Sequence, residues 1–182
     1  AEIESRQALV VALGDVAGHG IPSALLMASA RAFLRQRLAL TGSLGEIVND
    51  INVQFCRDVG DSGRFMTLML CAFDFEHHSI KWVRAGHEPA LYYDPVMDRF
   101  SELKQGGGIP LGIDHEFVYR ENSVASDAFE PGRILFVGTD GIWESAGPSG
   151  ERFGKERVKQ IIRTHRNADA RAIMDRLLDE LN

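Results

Sequence analysis

The chain has 182 residues, of which 45% are hydrophobic and 25% are charged, and its formal net charge is −6. This length suits one domain with a sizeable core, and no apolar run reaches the roughly 18 residues that a membrane-spanning helix needs. The acidic balance and the lack of a basic stripe argue against a nucleic-acid partner.

The cysteines and the first residues indicate the compartment. Cys56 and Cys71 fall in a predicted helix and a predicted strand, and a secreted disulfide framework would need more cysteines than these two. The opening residues, AEIESRQ, have neither the basic start nor the apolar core of a signal peptide. We therefore expect reduced thiols and a cytoplasmic protein without direct membrane contact.

The first half of the chain predicts a strand and two helices. Ala8 to Leu13 is apolar throughout, which predicts a strand buried on both faces. The turn GDVAGHG at residues 14–20 follows, and a helix is expected near Pro22, because proline tolerates an early helical position. The residues expected on the inward face of this helix are Leu25, Leu26, Ala28, Ser29, Ala32 and Phe33.

A second helix is marked by its start signal. Ser43 and Glu46 have the spacing of a capping box, in which each side chain bonds the other residue's backbone N–H. We expect this helix to run to about Cys56. Its inward residues are expected to be Leu44, Ile47, Val48, Ile51 and Phe55.

The middle of the chain predicts strands joined by turns, and the end predicts helices. Phe65 to Asp74 and Ile80 to Ala85 flank the polar residues His77-His78, which predicts a hairpin with a solvated tip. The run Gly106 to Gly108 favours close backbone packing over regular structure. The other elements expected are strands at Ala90 to Tyr93, Arg99 to Leu103, Phe117 to Val124 and Arg133 to Gly138, a surface loop at 146–150, and helices at Lys155 to His165 and Ala168 to Leu181.

Two predicted strands each deliver an aspartate to a turn that contains glycine. Asp15 follows the first strand, and Asp140 follows Arg133 to Gly138 within the sequence Thr-Asp-Gly. Sites for Mg²⁺ or Mn²⁺ are assembled from oxygen ligands on separate elements, and carboxylates are the commonest of them. We therefore interpret Asp15 and Asp140 as metal ligands.

Six ordered blocks of sequence carry a resemblance to a known family. They are GDVAGHGIPSALLMA, FMTLMLCAFD, RAGHEPALYY, GGGIPLGI, LFVGTDGIWESA and ERFGKERV. Their order and spacing resemble the SpoIIE-type branch of the metal-dependent protein phosphatases, which are relatives of phosphatase type 2C. The resemblance implies an α+β fold, a four-layer αββα sandwich of two antiparallel sheets flanked by helices. It also implies hydrolysis of phosphoserine or phosphothreonine with a pair of Mn²⁺ or Mg²⁺ ions.

The resemblance assigns roles to three residues. Asp15 resembles the carboxylate that bridges the two cations, the backbone carbonyl of Val16 resembles a further ligand, and Asp140 resembles the acidic ligand of one cation. Two cations that share a carboxylate can clamp the phosphoryl oxygens and lower the pKa of a bridging water until hydroxide attacks phosphorus in line. No phosphoenzyme nucleophile is then needed, in agreement with the lack of a convincing Ser-His-Asp or Cys-His arrangement.

The chain also departs from the family pattern at both ends. We expect residues 1–182 to be a single phosphatase domain that lacks the first and last strands of the family, each of which carries an acidic motif. Only two credible ligand carboxylates then remain, and waters would have to fill most of an octahedral shell. For this chain alone we expect weak or single-cation binding and poor turnover.

Other polar residues near the motifs have two interpretations each. His19 is either a proton donor to the leaving alkoxide or, as we prefer, a cap of the following helix or a partner of a loop carbonyl. Gly18 and Gly20 are expected to serve conformation. His87 either holds a strand crossing through hydrogen bonds, as we prefer, or binds the metal directly. Glu144 either bonds a metal-bound water or caps the turn.

The resemblance implies a biological setting as well. It indicates a bacterial partner-switching pathway of signal transduction and sigma factor regulation, with a phosphorylated anti-anti-sigma-type (STAS) protein as substrate. The domain would be the output part of a longer chain with a sensor or receiver domain, and a homodimer is left open. The alternatives are a non-catalytic regulatory module with the same fold and, more weakly, a metal-dependent phosphodiesterase.

Overall fold

The computed structural model describes residues 8–124, 130–146 and 150–181, so residues 147–149 of the expected loop lie outside it. The chain divides into two compact units. Unit 1 comprises Ala1–His87 and Lys104–Phe129, and unit 2 comprises Glu88–Leu103 and Glu130–Asn182. The elements in chain order are β1 Ala8–Val16, α1 Gly20–Leu38, α2 Leu44–Val59, a 3₁₀ turn Gly60–Ser62, β2 Met66–Asp74, β3 Ser79–Ala85, β4 Leu91–Asp94, β5 Arg99–Glu102, β6 Gly107–Gly108, β7 Asn122–Val124, β8 Ile134–Phe136, α3 Asp140–Trp143, α4 Gly154–Thr164 and α5 Ala170–Leu181.

Two sheets with flanking helices confirm the α+β fold class. The sheet of unit 1 has the order β1-β2-β3-β6, with β7 also paired to β3, and the sheet of unit 2 has the order β5-β4-β8. Every named strand pair is antiparallel except β3 with β6, which is parallel. Among the described helices, none combines the length and the apolar character needed to cross a membrane.

Helix α2 supplies much of the unit 1 core and forms as predicted. The Ser43 side chain accepts a hydrogen bond from the Glu46 backbone N–H, and the Glu46 carboxylate accepts from the Ser43 N–H, so the capping box is present. The five predicted inward residues are all buried, and they pack with β2 and β3 in one apolar cluster. The capping residues set where the helix starts, and the apolar stripe sets which face it buries.

Helix α1 forms, and its predicted inward face is confirmed at Leu26 but wrong at Leu25. Leu25 is 64% exposed, whereas Ser23 and Ala30 are the buried residues of the helix. Leu26 and Leu34 pack beside them against the core of unit 1. Small residues at the closest contact let the helix approach its neighbours.

Strand β1 is longer and less covered than predicted. It lies at one end of the described sheet, and Leu9 and Val11 are 52% and 40% exposed. Because side chains alternate between the faces of a strand, Val10 points to the other face and packs against the core. The prediction of burial on both faces is therefore wrong for the described residues.

The hairpin of β2 and β3 confirms the predicted pairing, with Asp74 opposite Ser79 at the turn. His77 and His78 at the tip are exposed, as expected. The predicted strand Phe117 to Val124 is wrong over most of its length, because only Asn122–Val124 pairs with β3.

Unit 2 has its own core beneath helices α4 and α5. Both helices present apolar residues at helical spacing to the three-stranded sheet. Tyr93 and Phe100 stack with their ring centroids 4.6 Å apart. The buried residues of this core include Leu91, Tyr93, Phe136, Trp143, Val158, Ile162, Ile173 and Leu177.

The two cysteines lie where the sequence predicts. Cys56 is on α2 and Cys71 on β2, and both are free thiols. Burial raises the pKa of the Cys71 thiol to about 12, so this thiol stays protonated and unreactive at neutral pH.

Candidate functional site

Asp15 lies at the end of β1 and its side chain is exposed. It pairs with Thr67 of β2, and the preceding Gly14 pairs with Leu68. A Cβ on Gly14 would lie 3.2 Å from the Thr67 carbonyl oxygen and would overlap the Met66 side chain. The glycine therefore allows β1 to approach β2 closely beside the carboxylate.

The chain leaves β1 through a tight turn into α1. The Ala17 N–H donates to the Phe65 carbonyl over 2.8 Å, and the Ser23 hydroxyl donates to the Ala17 carbonyl over 3.3 Å. Gly18 and Gly20 have φ angles of +94° and +79°, a region that disfavours side chains. The expectation that these two glycines serve conformation agrees with this geometry.

His19 occupies the N-cap position of α1 in an extended conformation, with φ −141° and ψ 172°. The position agrees with the preferred interpretation that His19 caps the helix, but only its backbone does so, because the imidazole is exposed and makes no capping hydrogen bond. Among the described residues, His19 makes no hydrogen bond to a loop carbonyl either. An extended N-cap backbone is what lets the first helical turn begin at the next residue. The alternative role as a proton donor stays a prediction.

His87 is buried, with 3% of its surface exposed, and it contacts the strand that pairs with Asp15. Its Nδ1 atom lies 2.8 Å from the Thr67 hydroxyl oxygen, within hydrogen-bonding distance. The Arg84 guanidinium donates to the His87 carbonyl over 2.8 Å and to the Lys104 carbonyl over 3.2 Å. These contacts agree with the expected hydrogen-bonding role of His87.

The glycine run packs against the end of β3. Gly107 and Gly108 form β6, so part of the run is regular structure, contrary to expectation. The Gly86 N–H donates to the Gly108 carbonyl over 2.8 Å, and a Cβ on Gly107 would overlap the Arg84 guanidinium. Close backbone packing, the preferred interpretation, is confirmed at these positions.

Two asparagines of α2 hold the segment that follows the glycine run. Asn52 is fully buried, and its side chain donates to the Asp114 carbonyl and accepts from the Gly112 N–H, at 2.8 and 3.0 Å. Asn49 makes the equivalent pair of bonds with the backbone of Tyr119, at 2.7 and 3.3 Å. Sequence reasoning missed both residues, although a polar residue between apolar neighbours on a buried helix face is a signal of such a role.

This segment also reaches β2 next to the residue opposite Asp15. Met66 and Leu111 exchange two backbone hydrogen bonds of 3.0 and 2.8 Å. The Tyr119 hydroxyl donates towards the carbonyls of Ile109 and Pro110, and burial raises the pKa of this phenol, so it stays neutral. Helix α2 is thereby connected to the end of β2.

Asp140 is the first residue of the short helix α3 in unit 2, and its side chain is exposed. Thr139 precedes it as the N-cap in extended conformation. Gly138 is buried, and a Cβ there would lie 2.9 Å from Ile142 and 3.0 Å from Phe136. Close packing of β8 against α3 thus delivers Asp140 to the surface.

Glu144 follows α3 and pairs with Arg152, with 3.3 Å between Oε1 and Nη1. Its backbone N–H, and not its carboxylate, bonds the Asp140 carbonyl at the end of the helix. Glu144 thus caps the helix through its backbone, which agrees with the capping alternative, although its side chain takes no part. The alternative role towards a metal-bound water stays a prediction.

The donor chemistry of the predicted ligands suits a hard divalent cation. Among the described residues, the carboxylates of Asp15 and Asp140 have no hydrogen-bond or ion-pair partner, so their oxygens are available as ligands. Asp15 and Val16 belong to unit 1 and Asp140 to unit 2. Across the described parts of the chain, no group of three or more His, Cys, Asp or Glu side chains is placed to hold a metal ion.

Comparison with known proteins identifies the family. The profile described as Stage II sporulation protein E (SpoIIE) matches residues 5–182. The chain belongs to the SpoIIE family. The likeness therefore extends over both units and includes the turns that carry Asp15 and Asp140.

Three proteins that are similar to this chain were also found. Phosphoserine phosphatase RsbU of Bacillus subtilis (strain 168) is 24% identical over 180 residues, which are 98% of this chain and 52% of RsbU. The SiaA-PP2C domain of Pseudomonas aeruginosa superposes with a TM-score of 0.80 at 24% identity, over 100% of this chain and 71% of that chain. RsbX, solved in complex with magnesium, gives a TM-score of 0.68 at 14% identity, over 95% of this chain and 74% of that one.

These structural matches establish a PP2C-like fold for this SpoIIE-family chain. Among the curated relatives, the chain spans about half the length of RsbU and 30% of Protein IcfG from Synechocystis. RsbU and RsbP, both of Bacillus subtilis (strain 168), are named phosphoserine phosphatases.

Proposed function

We propose that this SpoIIE-family chain hydrolyses phosphoserine or phosphothreonine on a regulatory protein, in a reaction that needs Mn²⁺ or Mg²⁺. The observation that carries the proposal is the exposed, unpaired carboxylate of Asp15 at the turn into α1. Family membership supports it, since RsbU and RsbP are named phosphoserine phosphatases.

The proposed cation ligands are Asp15, the carbonyl of Val16 and Asp140, for two ions in the complete protein. Bound divalent cations would supply charge to stabilise the phosphoryl oxygens and would acidify an attacking water. Asp15 and Asp140 would hold these ions, while the buried packing of Val16 fixes the backbone at the first site. The magnesium bound to RsbX agrees with an oxygen-ligand site in this fold.

The proposed substrate is a phosphorylated STAS-domain protein in a bacterial partner-switching pathway. RsbU and SpoIIE among the similar proteins favour this setting, in which the chain would work in the cytoplasm. The chain spans 52% of RsbU. The proposal includes a sensor or receiver domain fused to this chain, and a homodimer.

The test compares phosphate release from such a phosphoprotein by the intact parent chain with and without Mn²⁺. Asp15→Asn and Asp140→Asn are each expected to lower the rate at least about a hundredfold, because each removes a charged ligand and keeps the side-chain volume. Asp61→Asn and Asp179→Asn are matched controls, since both residues are exposed in units 1 and 2 respectively. Turnover without metal, or full activity in both ligand variants, would refute the proposal.

A second candidate function is a non-catalytic regulatory module with the same fold. The lack of a three-residue metal cluster among the described residues favours it. Calorimetric titration of Mn²⁺ into the parent chain separates the two candidates. Saturable binding that is lost in Asp15→Asn supports the enzyme, whereas no binding at millimolar Mn²⁺ supports the module.

A further inference from the structure

The residue directly opposite Asp15 is held by a buried histidine. Thr67 pairs with Asp15 across β1 and β2, and directly opposed residues on antiparallel strands carry their side chains on the same face of the sheet. The Thr67 hydroxyl oxygen lies 2.8 Å from Nδ1 of His87, which comes 20 residues later in the chain. A hydrogen bond of this kind selects one rotamer of Thr67 beside the carboxylate.

His87 itself has little freedom to move. It is 3% exposed, and its carbonyl accepts a 2.8 Å hydrogen bond from the Arg84 guanidinium, which also bonds the Lys104 carbonyl. Gly107 leaves the space that this guanidinium occupies, since a Cβ there would overlap it. The ring that contacts Thr67 is therefore fixed by the surrounding backbone as well as by its burial.

The backbone of β1 depends on this end of β2. The last pairs of the two strands are Asp15 with Thr67 and Val16 with Met66, and the Ala17 N–H then donates to the Phe65 carbonyl. Strand ends fray when nothing beyond the ladder holds them. Here the backbone that carries the Asp15 carboxylate and the Val16 carbonyl belongs to that final stretch of ladder.

We propose that Thr67 and His87 form a positioning pair for Asp15, which holds the end of the β1–β2 ladder and thereby the backbone that presents the Asp15 carboxylate and the Val16 carbonyl to a divalent cation. The inference rests on the proposed function, because it needs Asp15 to be a metal ligand. Neither residue of the pair is assigned to the metal itself. Partners that orient a metal ligand typically change metal affinity by about 10- to 100-fold when they are removed.

The experiment titrates Mn²⁺ into the intact parent chain by calorimetry and measures thermal unfolding in parallel. Thr67→Val removes the hydroxyl with little change in shape, and it is expected to weaken Mn²⁺ binding at least about tenfold. Thr67→Ser keeps the hydroxyl and is expected to bind Mn²⁺ like the unmodified chain. Thr164→Val, at the end of α4 in unit 2, is the matched control and is expected to bind normally.

A second measurement does not depend on metal. Hydrogen exchange of the Ala17 amide, which bonds Phe65, is expected to be faster in Thr67→Val and in His87→Gln, while amides of central β2 such as Ala72 stay protected. If one of the two variants folds poorly, the exchange rate of the Ala17 amide in the other variant still tests the inference.

The possible outcomes separate this inference from the proposed function. If Asp15→Asn abolishes Mn²⁺ binding while Thr67→Val binds normally and keeps Ala17 protected, the positioning pair is refuted and the proposed function stands. If Thr67→Ser is as impaired as Thr67→Val, the effect comes from packing and the inference also fails. If Asp15→Asn leaves Mn²⁺ binding unchanged, the proposed function fails, and the pair has no ligand to position.

Discussion

Lys155 and Glu88 form an ion pair with 2.6 Å between Nζ and Oε2, and the same ammonium group lies 5.1 Å from the centroid of the Trp143 ring. Trp143 is the last residue of α3, the helix that begins at Asp140. Lys155 thus connects α4 to α3 through a cation–π contact and to Glu88 through opposite charge. The short helix that presents Asp140 is therefore stabilised by its contact with Lys155 in addition to its own backbone hydrogen bonds.

We therefore expect Lys155→Met to destabilise unit 2 modestly. The pair is partly exposed, so its loss together with the cation–π contact is expected to cost about 1 kcal/mol. Lys159→Met is the control, because its partner Glu156 is 87% exposed and the cost should be close to zero. Urea unfolding measures both, and equal losses in the two variants would contradict the assignment.

Asn52 is expected to be one of the most sensitive polar residues of the chain. Asn52→Ala leaves the Gly112 N–H and the Asp114 carbonyl without their buried partner, which is expected to cost about 2–4 kcal/mol in the free energy of unfolding. Gln54→Ala, which removes an exposed bond to Asp58 on the same helix, should cost no more than about 0.5 kcal/mol. Chemical denaturation of both variants checks the difference, and a cost below that of Gln54→Ala would rule out the role.

Gly86 and Gly63 separate backbone strain from steric overlap. Both have positive φ, +64° and +70°, but a Cβ on Gly86 would lie 2.6 Å from Pro110, whereas a Cβ on Gly63 meets nothing within 4 Å. Gly63→Ala is expected to cost about 1 kcal/mol, and Gly86→Ala about 1–3 kcal/mol more. Thermal unfolding measures this difference. Similar melting temperatures would show that the loop at Pro110 moves aside without a cost in stability.

The hairpin tip is expected to depend on pH. The side-chain hydrogen bond to Asp74 raises the pKa of His77, and the backbone and side-chain hydrogen bonds from His77 lower the pKa of Asp74. In the unfolded chain the ordinary values are 6.5 for His77 and 3.8 for Asp74, so the pair contributes fully between these two values. The contribution of His77 disappears as pH rises through its raised pKa, and that of Asp74 disappears as pH falls through its lowered pKa.

NMR titration of His77 tests this prediction. Asp74→Asn keeps an oxygen for the backbone N–H groups of Glu76 and His77 but removes the charge. We expect the pKa of His77 to fall towards 6.5 in this variant. An unchanged His77 titration would show that the pair does not form in solution.

His19 allows a direct test of its remaining interpretation. Because its imidazole makes no capping bond, His19→Asn is expected to stabilise α1 by about 0.5–1 kcal/mol, since asparagine is a favourable N-cap residue. We expect phosphate release by the parent chain to change less than tenfold. A loss of about a hundredfold or more with the fold intact would instead establish a proton-transfer role.

Local signals predicted α2 and the β2–β3 hairpin well. The capping box at Ser43 and the polar tip at His77-His78 involve residues that are close in the sequence, so the local pattern predicts them. Helix α1 was harder, because Leu25, Leu26 and Met27 place apolar side chains on several faces. Periodicity cannot then choose the packed face, and the small residues at the contact decide it.

Long-range contacts explain the remaining differences. The predicted strand at Phe117 to Val124 is mostly replaced by a segment that Asn49 holds at Tyr119, 70 residues away, while Asn52 holds Gly112 and Asp114 just before it, 60 and 62 residues away. A polar residue on a buried helix face signals a hydrogen-bonding role, but no local pattern identifies such distant partners. For the candidate site, Asp15, Val16 and Asp140 stay predictions from the sequence, whereas the contact of Thr67 with His87 depends on tertiary structure and could not be predicted from it.

The pairing of β1 with β2 also determines where the chain accepts changes in length. Removing one residue between Ala8 and Leu13 would shift the ladder by one position, and the Asp15 side chain would then point to the opposite face of the sheet. An extra residue at the exposed tip around His78 lengthens only a loop. Insertions and deletions should therefore be tolerated at the turn between β2 and β3, whereas those within β1 should disrupt the structure.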